Sequence, residues 1–300
     1  MNIAITNVHL DLGAGRRGTD MGPSAIHVAG LVPKLKEIGH KIDSIQSLGS
    51  PSYESVHVEQ SNARFLSPIH NICNKLKSRV YKNMREEKFP LVLGGDHSQA
   101  IGTISGLSKY YKEKNEDIGV IWVDAHTDMN TPGTSPSGNI HGMPLSSLLG
   151  FGHEKLTSLN GDAPSLKPEN VAIIGARDVD FSEIPLVKEL GVRVYTMTEL
   201  DKRGAFTCFE EAIAHVSKNT AGIHLSFDLD GVDPRAAPGV GTPVPGGLSF
   251  RESHLICEMV SEKIIGMEMV ELNPTLDIEN KTGHLAVWLI LSAMGKQIIY

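Results

Sequence analysis

IWVDAHTDMNTPGTSPSGNIHG, residues 121–142, opens as an apolar strand and then spaces Asp124, His126 and Asp128 two apart. Side chains on a strand alternate faces, so residues two apart share one side. If the strand runs on, two carboxylates and an imidazole stand in a row, about 7 Å from one to the next. Burying such a row without compensation is expensive, and a cation removes the cost.

The same pattern recurs further out. LVLGGDH (91–97) ends in Asp96 and His97, IHLSFDLDGVD (223–233) in Asp228, Asp230 and Asp233, and MEMVELNP (267–274) carries Glu271. Candidate strands cover 2–9, 41–48, 90–95, 119–124, 170–175, 192–197, 222–228 and 266–272. Candidate helices cover 68–85, 98–110, 206–218, 250–263 and 283–297. Alternation of this kind predicts an α/β fold, a mostly parallel sheet covered on both faces. In such sheets ligands bind outside the carboxyl ends of the strands. Four strands therefore deliver acids and histidines to one edge.

The bulk properties fit that picture. The 300 residues are 40% hydrophobic and 21% charged, with no internal repeat and no linker, which predicts one domain spanning 1–300. A net charge of −7 argues against a nucleic-acid partner. Cys73, Cys208 and Cys257 lie far apart with no CxxC pair, which suits a reducing compartment. The opening MNIAITNVHLD lacks a signal-peptide pattern, and LAVWLILSAMG is too short to span a bilayer. A cytoplasmic protein without a membrane partner is expected.

Two histidines and four aspartates, His97, Asp124, His126, Asp128, Asp228 and Asp230, make a carboxylate-rich candidate metal site. Clustered carboxylates raise one another's pKa values, and two divalent cations would neutralise them. Oxygen-rich ligation with only two imidazoles suits Mn²⁺ better than a structural zinc. Two adjacent metals can depress the pKa of a shared hydroxide and so supply a nucleophile without Ser or Cys. A lone Asp at a strand end is more often a cap or turn former. Asp233 before Pro234 and Asp96 beside His97 fit such supporting roles. His224, within a strand, reads as a packing or surface group.

GGDHS (94–98), DAHTDMN (124–130), SPSGNIHGMP (135–144), SFDLDGVDP (226–234), GTPVPGGLSFRE (241–252) and VELNP (270–274) resemble, in content and order, the motifs of the arginase (ureohydrolase) family. RGTDMGPSAI (17–26) is similar to the opening of its bacterial members. The resemblance implies a three-layer α/β/α sandwich with a sheet of about eight strands. It implies a manganese hydrolase acting on linear amidines, with two Mn²⁺ per subunit. One ion would be bound by His97, Asp124, Asp128 and Asp228, the other by His126, Asp124, Asp228 and Asp230. A hydroxide bridging the ions would attack the guanidinium of L-arginine and yield L-ornithine and urea. A homotrimer or homohexamer is common in the family.

Roles follow for other positions. Glu271 is an acid suited to a planar guanidinium, and Thr242 could add a hydroxyl acceptor. His141, beyond a glycine turn, is the candidate proton shuttle. By resemblance, Asn130 and Ser137 would contact the substrate carboxylate, and Asp180, with Glu183 behind it, the α-ammonium. These contacts favour arginine over agmatine or a formimino substrate. Pro136, Phe181 and Ser182 depart from the family pattern in those loops.

Two readings from other classes compete. GAGRRG (13–18) fits the GxGxxG of a dinucleotide-binding oxidoreductase, a weak motif alone. Pro23 places the helix start beyond the glycines, which then serve a loop. A catalytically silent relative is the other alternative, and the intact ligand set speaks against it. Arg16 and Arg17 either meet another subunit or solvate their loop, with the loop favoured.

Overall fold

Eight strands form one sheet: β1 Asn2–His9, β2 Lys41–Gly49, β3 Phe89–Leu93, β4 Asp117–Val123, β5 Val171–Ala176, β6 Arg193–Thr196, β7 Thr220–Asp228 and β8 Ile264–Val270. The structure is a computed structural model and describes residues 1–297 and 299. Every strand pairing is parallel, in the order β2-β1-β3-β8-β7-β4-β5-β6. Interior strands of a parallel sheet are covered on both faces and read as continuous apolar runs. FPLVL of β3 and VAIIGA of β5 are buried at every residue. The edge strand β2 is half-buried or exposed throughout, which explains its weaker sequence signal.

Two hydrophobic layers cover the sheet. Helices Ala205–Val216, Phe250–Val260 and Lys281–Ala293 pack on one face around Phe209, Ile256, Leu289 and Phe227. Helices Leu66–Arg85 and Ala100–Lys112 pack on the other around Ile69, Leu76, Ile104 and Trp122. The result is a three-layer α/β/α sandwich, as expected from the resemblance. Each expected helix is present with shifted ends. The last stops at Ala293, where the sequence pattern runs to 297. Short helices at Gly22–Val28, Leu31–Glu37, Ile184–Leu190 and Met197–Arg203 carry too few turns to show periodicity. Among the described residues, no helix is long and apolar enough to cross a membrane.

Topology positions the site. The chain leaves β3 and re-enters the sheet at β4, with β8 and β7 filling the gap between them. The loops after these four central strands therefore leave the same carboxyl edge around one crevice. Gly95 lies at its floor: a Cβ there would lie 1.8 Å from the carbonyl oxygen of Leu10, so only glycine lets the two loops touch. GAGRRG is a loop against this floor, and Pro23 sits in the first turn of the Gly22–Val28 helix. The amide of Gly13 donates to Asp96 Oδ2 at 2.8 Å. Arg17 does not merely solvate the loop; it pairs with Asp11 at 2.7 Å and with Glu54.

One expectation needs correction. The row Asp124, His126, Asp128 is not on a strand, because β4 ends at Val123. Asp124 Oδ1 accepts the amide of His126 at 2.7 Å, and Asp230 Oδ1 accepts that of Ala125 at 3.1 Å. These side chains compete with the β ladder and turn the chain. Asp128 then adopts a left-handed backbone, φ 53°. The three groups converge instead of standing in a line.

Candidate active site

His97 follows β3, and its side chain is almost wholly buried. Its Nδ1 lies 3.2 Å from Asp124, 3.1 Å from Asp128 and 3.1 Å from Asp228, one carboxylate oxygen of each. None of the three makes a well-formed hydrogen bond, so this buried nitrogen has no partner. His126 Nδ1 stands 3.2 Å from the other oxygen of Asp124 and 3.1 Å from Asp230. Asp124 thus faces one imidazole with each oxygen.

Turns and strand neighbours hold these groups. Asp228 Oδ1 accepts the amide of Asp230 at 2.7 Å, which leaves Oδ2 for His97. Thr242 donates its hydroxyl to Asp230 Oδ2 at 2.8 Å. Trp122 donates its indole N–H to Asp124 at 3.0 Å and stacks on the His97 ring, centroids 4.1 Å apart. Arg177 donates to the carbonyls of Gly175, Asp230, Gly231 and Val244, so one guanidinium clamps the Thr242 loop to the end of β7.

Electrostatics follow from crowding. Burial pushes Asp128 up to about 7, and the Asp124 charge adds to that rise. Burial and Asp230 push Asp228 well above the usual carboxylate range. Burial alone would raise Asp124 too, but the hydrogen bond from His126 and the nearness of the His97 ring outweigh it and hold Asp124 low. With no metal bound, protons must offset the charge, and divalent cations can take their place. His97, Asp124 and Asp228 form one group able to hold an ion, and Asp124, His126 and Asp230 another. The unpartnered Nδ1 of His97 and the shared Asp124 fit two ions side by side.

A cavity of about 210 Å³ opens onto these groups. Asn130, Ser137, His141, Asp180, Glu183 and Thr242 line it as well, so the structure brings nearly all the sequence-derived candidates together. Asn130 Nδ2 donates to Asp180 Oδ2 at 2.8 Å. Glu183 stands behind Asp180, accepting its amide at 3.0 Å and the Thr127 hydroxyl at 2.8 Å. Ser182 reaches the Thr134 carbonyl at 3.0 Å and links the two loops, while Phe181 is exposed.

Glu271 takes a different position. It is 1% exposed and lies beneath His141, its Oε1 accepting the His97 amide at 2.9 Å and lying 3.0 Å from His141 Nδ1. It faces an adjoining cavity with Arg16 and Thr242. Burial would lower His141, but Glu271 more than compensates and raises it to about 9. Asp96 supports the floor through Gly13 and Ser98, and Asp233 holds Arg235 and Gly246. His224 is fully buried and faces Glu268.

Sequence reasoning missed Ser135, Asn139 and Asp178, which also line the cavity. Spacing by two was the available signal: Asp178 precedes Asp180 as Asn139 precedes His141. For Arg177, whose partners are backbone carbonyls and, Gly175 apart, lie in distant segments, no local signal exists.

Comparisons with known proteins agree along the chain. A family model described as the arginase family matches residues 1–295. An arginase of Brevibacillus brevis is 51% identical over 302 residues, covering 99% of each chain. The crystal structure of an arginase from Bacillus caldovelox superposes with a TM-score of 0.93 at 48% identity, covering 99% of each chain. An Entamoeba histolytica arginase in complex with L-ornithine gives a TM-score of 0.89 at 30% identity, covering 99% of this chain and 100% of that one.

Proposed function

The chain belongs to the arginase family and is a hydrolase, and from that premise we propose that it cleaves L-arginine to L-ornithine and urea with two Mn²⁺ ions. His97, Asp124, Asp128 and Asp228 would hold one ion, and His126, Asp124, Asp228 and Asp230 the other. The observation that carries this reading is the pair of histidine–carboxylate clusters sharing Asp124, at the floor of an acid-lined cavity. An acidic lining suits a cationic guanidino substrate, and the L-ornithine held by the Entamoeba relative is the expected amino-acid product. When bound, the ions supply the nucleophile by lowering the pKa of water.

The chain's own residues do the rest. Thr242, its proton engaged by Asp230, offers oxygen lone pairs to the substrate. Asn130 and Ser137 would take the α-carboxylate and Asp180 the α-ammonium, which orients the guanidinium towards the acid cluster. Water oxygen adds to the guanidinium carbon, the bond from that carbon to the side-chain nitrogen breaks, and the departing amine takes a proton. His141 is the proton carrier: Glu271 engages Nδ1, leaving Nε2 free for the cavity. Glu271 holds His141 and the amide of His97, and it lines a cavity with His126, His141 and Thr242, where its carboxylate suits a guanidinium.

Three buried, unpaired cysteines suit a reducing compartment, so the proposal includes a cytoplasmic location. Assembly as a homotrimer or homohexamer belongs to the same proposal and is checked by sedimentation. Urea release by Mn²⁺-loaded protein, comparing L-arginine with agmatine at equal concentration, tests the reaction. Strong preference for arginine is expected. Preference for agmatine would remove the amino-acid recognition roles, and urea from neither would overturn the reaction.

A further inference from the structure

Beneath His97 the sheet carries a row of side chains that touch no part of the cavity. Trp122 on β4, Ser226 on β7 and Glu268 on β8 are register partners in adjacent strands. All three are 0% exposed. Trp122 stacks on the His97 ring, and Ser226 Oγ lies 2.9 Å from His97 Nε2. Ser226 then donates its hydroxyl proton to Glu268 Oε1 at 2.9 Å.

Glu268 is a carboxylate in the middle of a buried strand, and among the described residues no Lys or Arg pairs with it. Its Oε1 also lies 3.3 Å from His224 Nε2, and its Oε2 meets the Gln99 amide at 3.4 Å. Gly266, the register partner of His224, leaves room for that ring: a Cβ there would lie 3.1 Å from His224 Nδ1. An apolar residue would fill the row at less cost, as Val92, the partner of Glu268 on β3, does. The buried acid therefore calls for a function.

Proton direction supplies one. A carboxylate only accepts, so the single Ser226 proton must point at Glu268. The Ser226 oxygen can then only accept from His97, which fixes the His97 proton on Nε2. An ion takes the imidazole in its neutral form, which carries one N–H, so with that proton on Nε2 it is Nδ1 that meets the ion, among Asp124, Asp128 and Asp228. We propose that Glu268 is a positioning residue of the metal centre, acting through Ser226 to lock His97 in the tautomer that presents Nδ1 to a divalent ion. This rests on the reading of His97 as a metal ligand. An amide in place of Glu268 could turn its NH₂ towards Ser226. Ser226 would then donate to His97, and the imidazole proton would move to Nδ1, where it competes with the ion.

The test uses the full chain as wild type, E268Q and S226A. In EDTA-treated, ¹⁵N-histidine-labelled protein, the His97 nitrogens are assigned by their loss in H97N. Wild type should show a proton on Nε2, where Ser226 accepts it, and E268Q a loss of that proton. Titration with Mn²⁺ should show one ion bound about 10- to 100-fold more weakly in E268Q, the range for loss of an outer partner of a metal-bound histidine, and the other unchanged. A pair that merely ties β7 to β8 would move neither reading. Wild-type tautomer and unchanged affinity for both ions in E268Q would overturn the proposal. If E268Q fails to fold, S226A, which keeps Glu268 and removes only the link, must weaken the same single ion; two unweakened ions would overturn it equally. Wild type that takes up no Mn²⁺ would overturn the two-ion reading instead, and the tautomer, measured without metal, still judges Glu268.

Discussion

His141 Nδ1 lies 3.0 Å from Glu271 Oε1, the oxygen that also accepts the backbone amide of His97 at 2.9 Å. One carboxylate oxygen thereby couples the proposed proton carrier to the segment bearing a proposed metal ligand. Glu271 achieves this with a left-handed backbone, φ 64°, immediately after β8.

His141→Asn should lower kcat by about 10²- to 10⁴-fold, the usual worth of a positioned acid or base. Mn²⁺ content should stay at the wild-type value, because His141 reaches Glu271 and not the aspartate cluster. Metal analysis alongside steady-state kinetics checks both, and loss of Mn²⁺ would make His141 a ligand.

The same pair makes the metal-free fold pH-sensitive. Glu271 raises His141 from its ordinary 6.5 to about 9. The folded state therefore holds the proton more tightly than the unfolded chain. That stability is fully present below about pH 6.5 and is lost as pH rises through about 9. Urea denaturation of EDTA-treated wild type and H141N across this range should show the difference between them shrinking with pH; a constant difference would refute the coupling.

Asp128 bears on metal and fold in opposite directions. Asp128→Asn should reduce bound Mn²⁺ and cost more activity than the roughly 100-fold that loss of an outer-shell partner costs. In the metal-free protein the carboxyl is raised to about 7, so its contribution is present below pH 4 and lost as pH rises through 7. At pH 8, D128N without metal should melt above metal-free wild type. Saturating Mn²⁺ at about 100 times its Kd should stabilise wild type by about 2.7 kcal/mol for each ion bound. Calorimetry with and without EDTA separates the two effects.

Asp180→Ala should lower kcat/KM for L-arginine by at least about 10-fold, one charge-assisted contact being worth about 1.5–3 kcal/mol. 5-Guanidinopentanoate keeps the carboxylate but lacks the α-ammonium, so its slow turnover should change less than that of arginine. Equal losses on both substrates would place Asp180 in the scaffold of the loop, through its contact with Asn130.

Arg177→Ala should destabilise the protein by about 3 kcal/mol, because buried carbonyls lose a charged donor. The Thr242 loop would be released from the end of β7, so KM should rise as well. Chemical denaturation and kinetics on the same preparation report the two effects, and an unchanged KM would show that the loop is held by other contacts.

Much of this was legible in the residues. The strand–helix alternation gave the parallel sheet, and the acids clustered after 95, 123, 227 and 270 gave its working edge. Two things were not legible. The line of Asp124, His126 and Asp128 was read from strand periodicity, but aspartate side chains that capture nearby amides end β4 at Val123. Glu271 was matched to a guanidinium as an acid suited to a planar cation, and its contact with His141 was not legible. Its place beneath His141 depends on the packing of the loop after β8 against that after β3, which are 174 residues apart. His224 and Glu268 were hidden similarly, since their contact is a cross-strand pair between β7 and β8.

Because all eight strands run the same way, the loops of the proposed site all leave one end of the sheet. The turns that feed the strands, such as 86–88 before β3 and 113–116 before β4, lie a full strand length from the crevice. Lys114 and Glu87 in those turns are exposed. Covalent tethering to a solid support through that end would leave the cavity facing solvent, and its catalytic constants should survive immobilisation there.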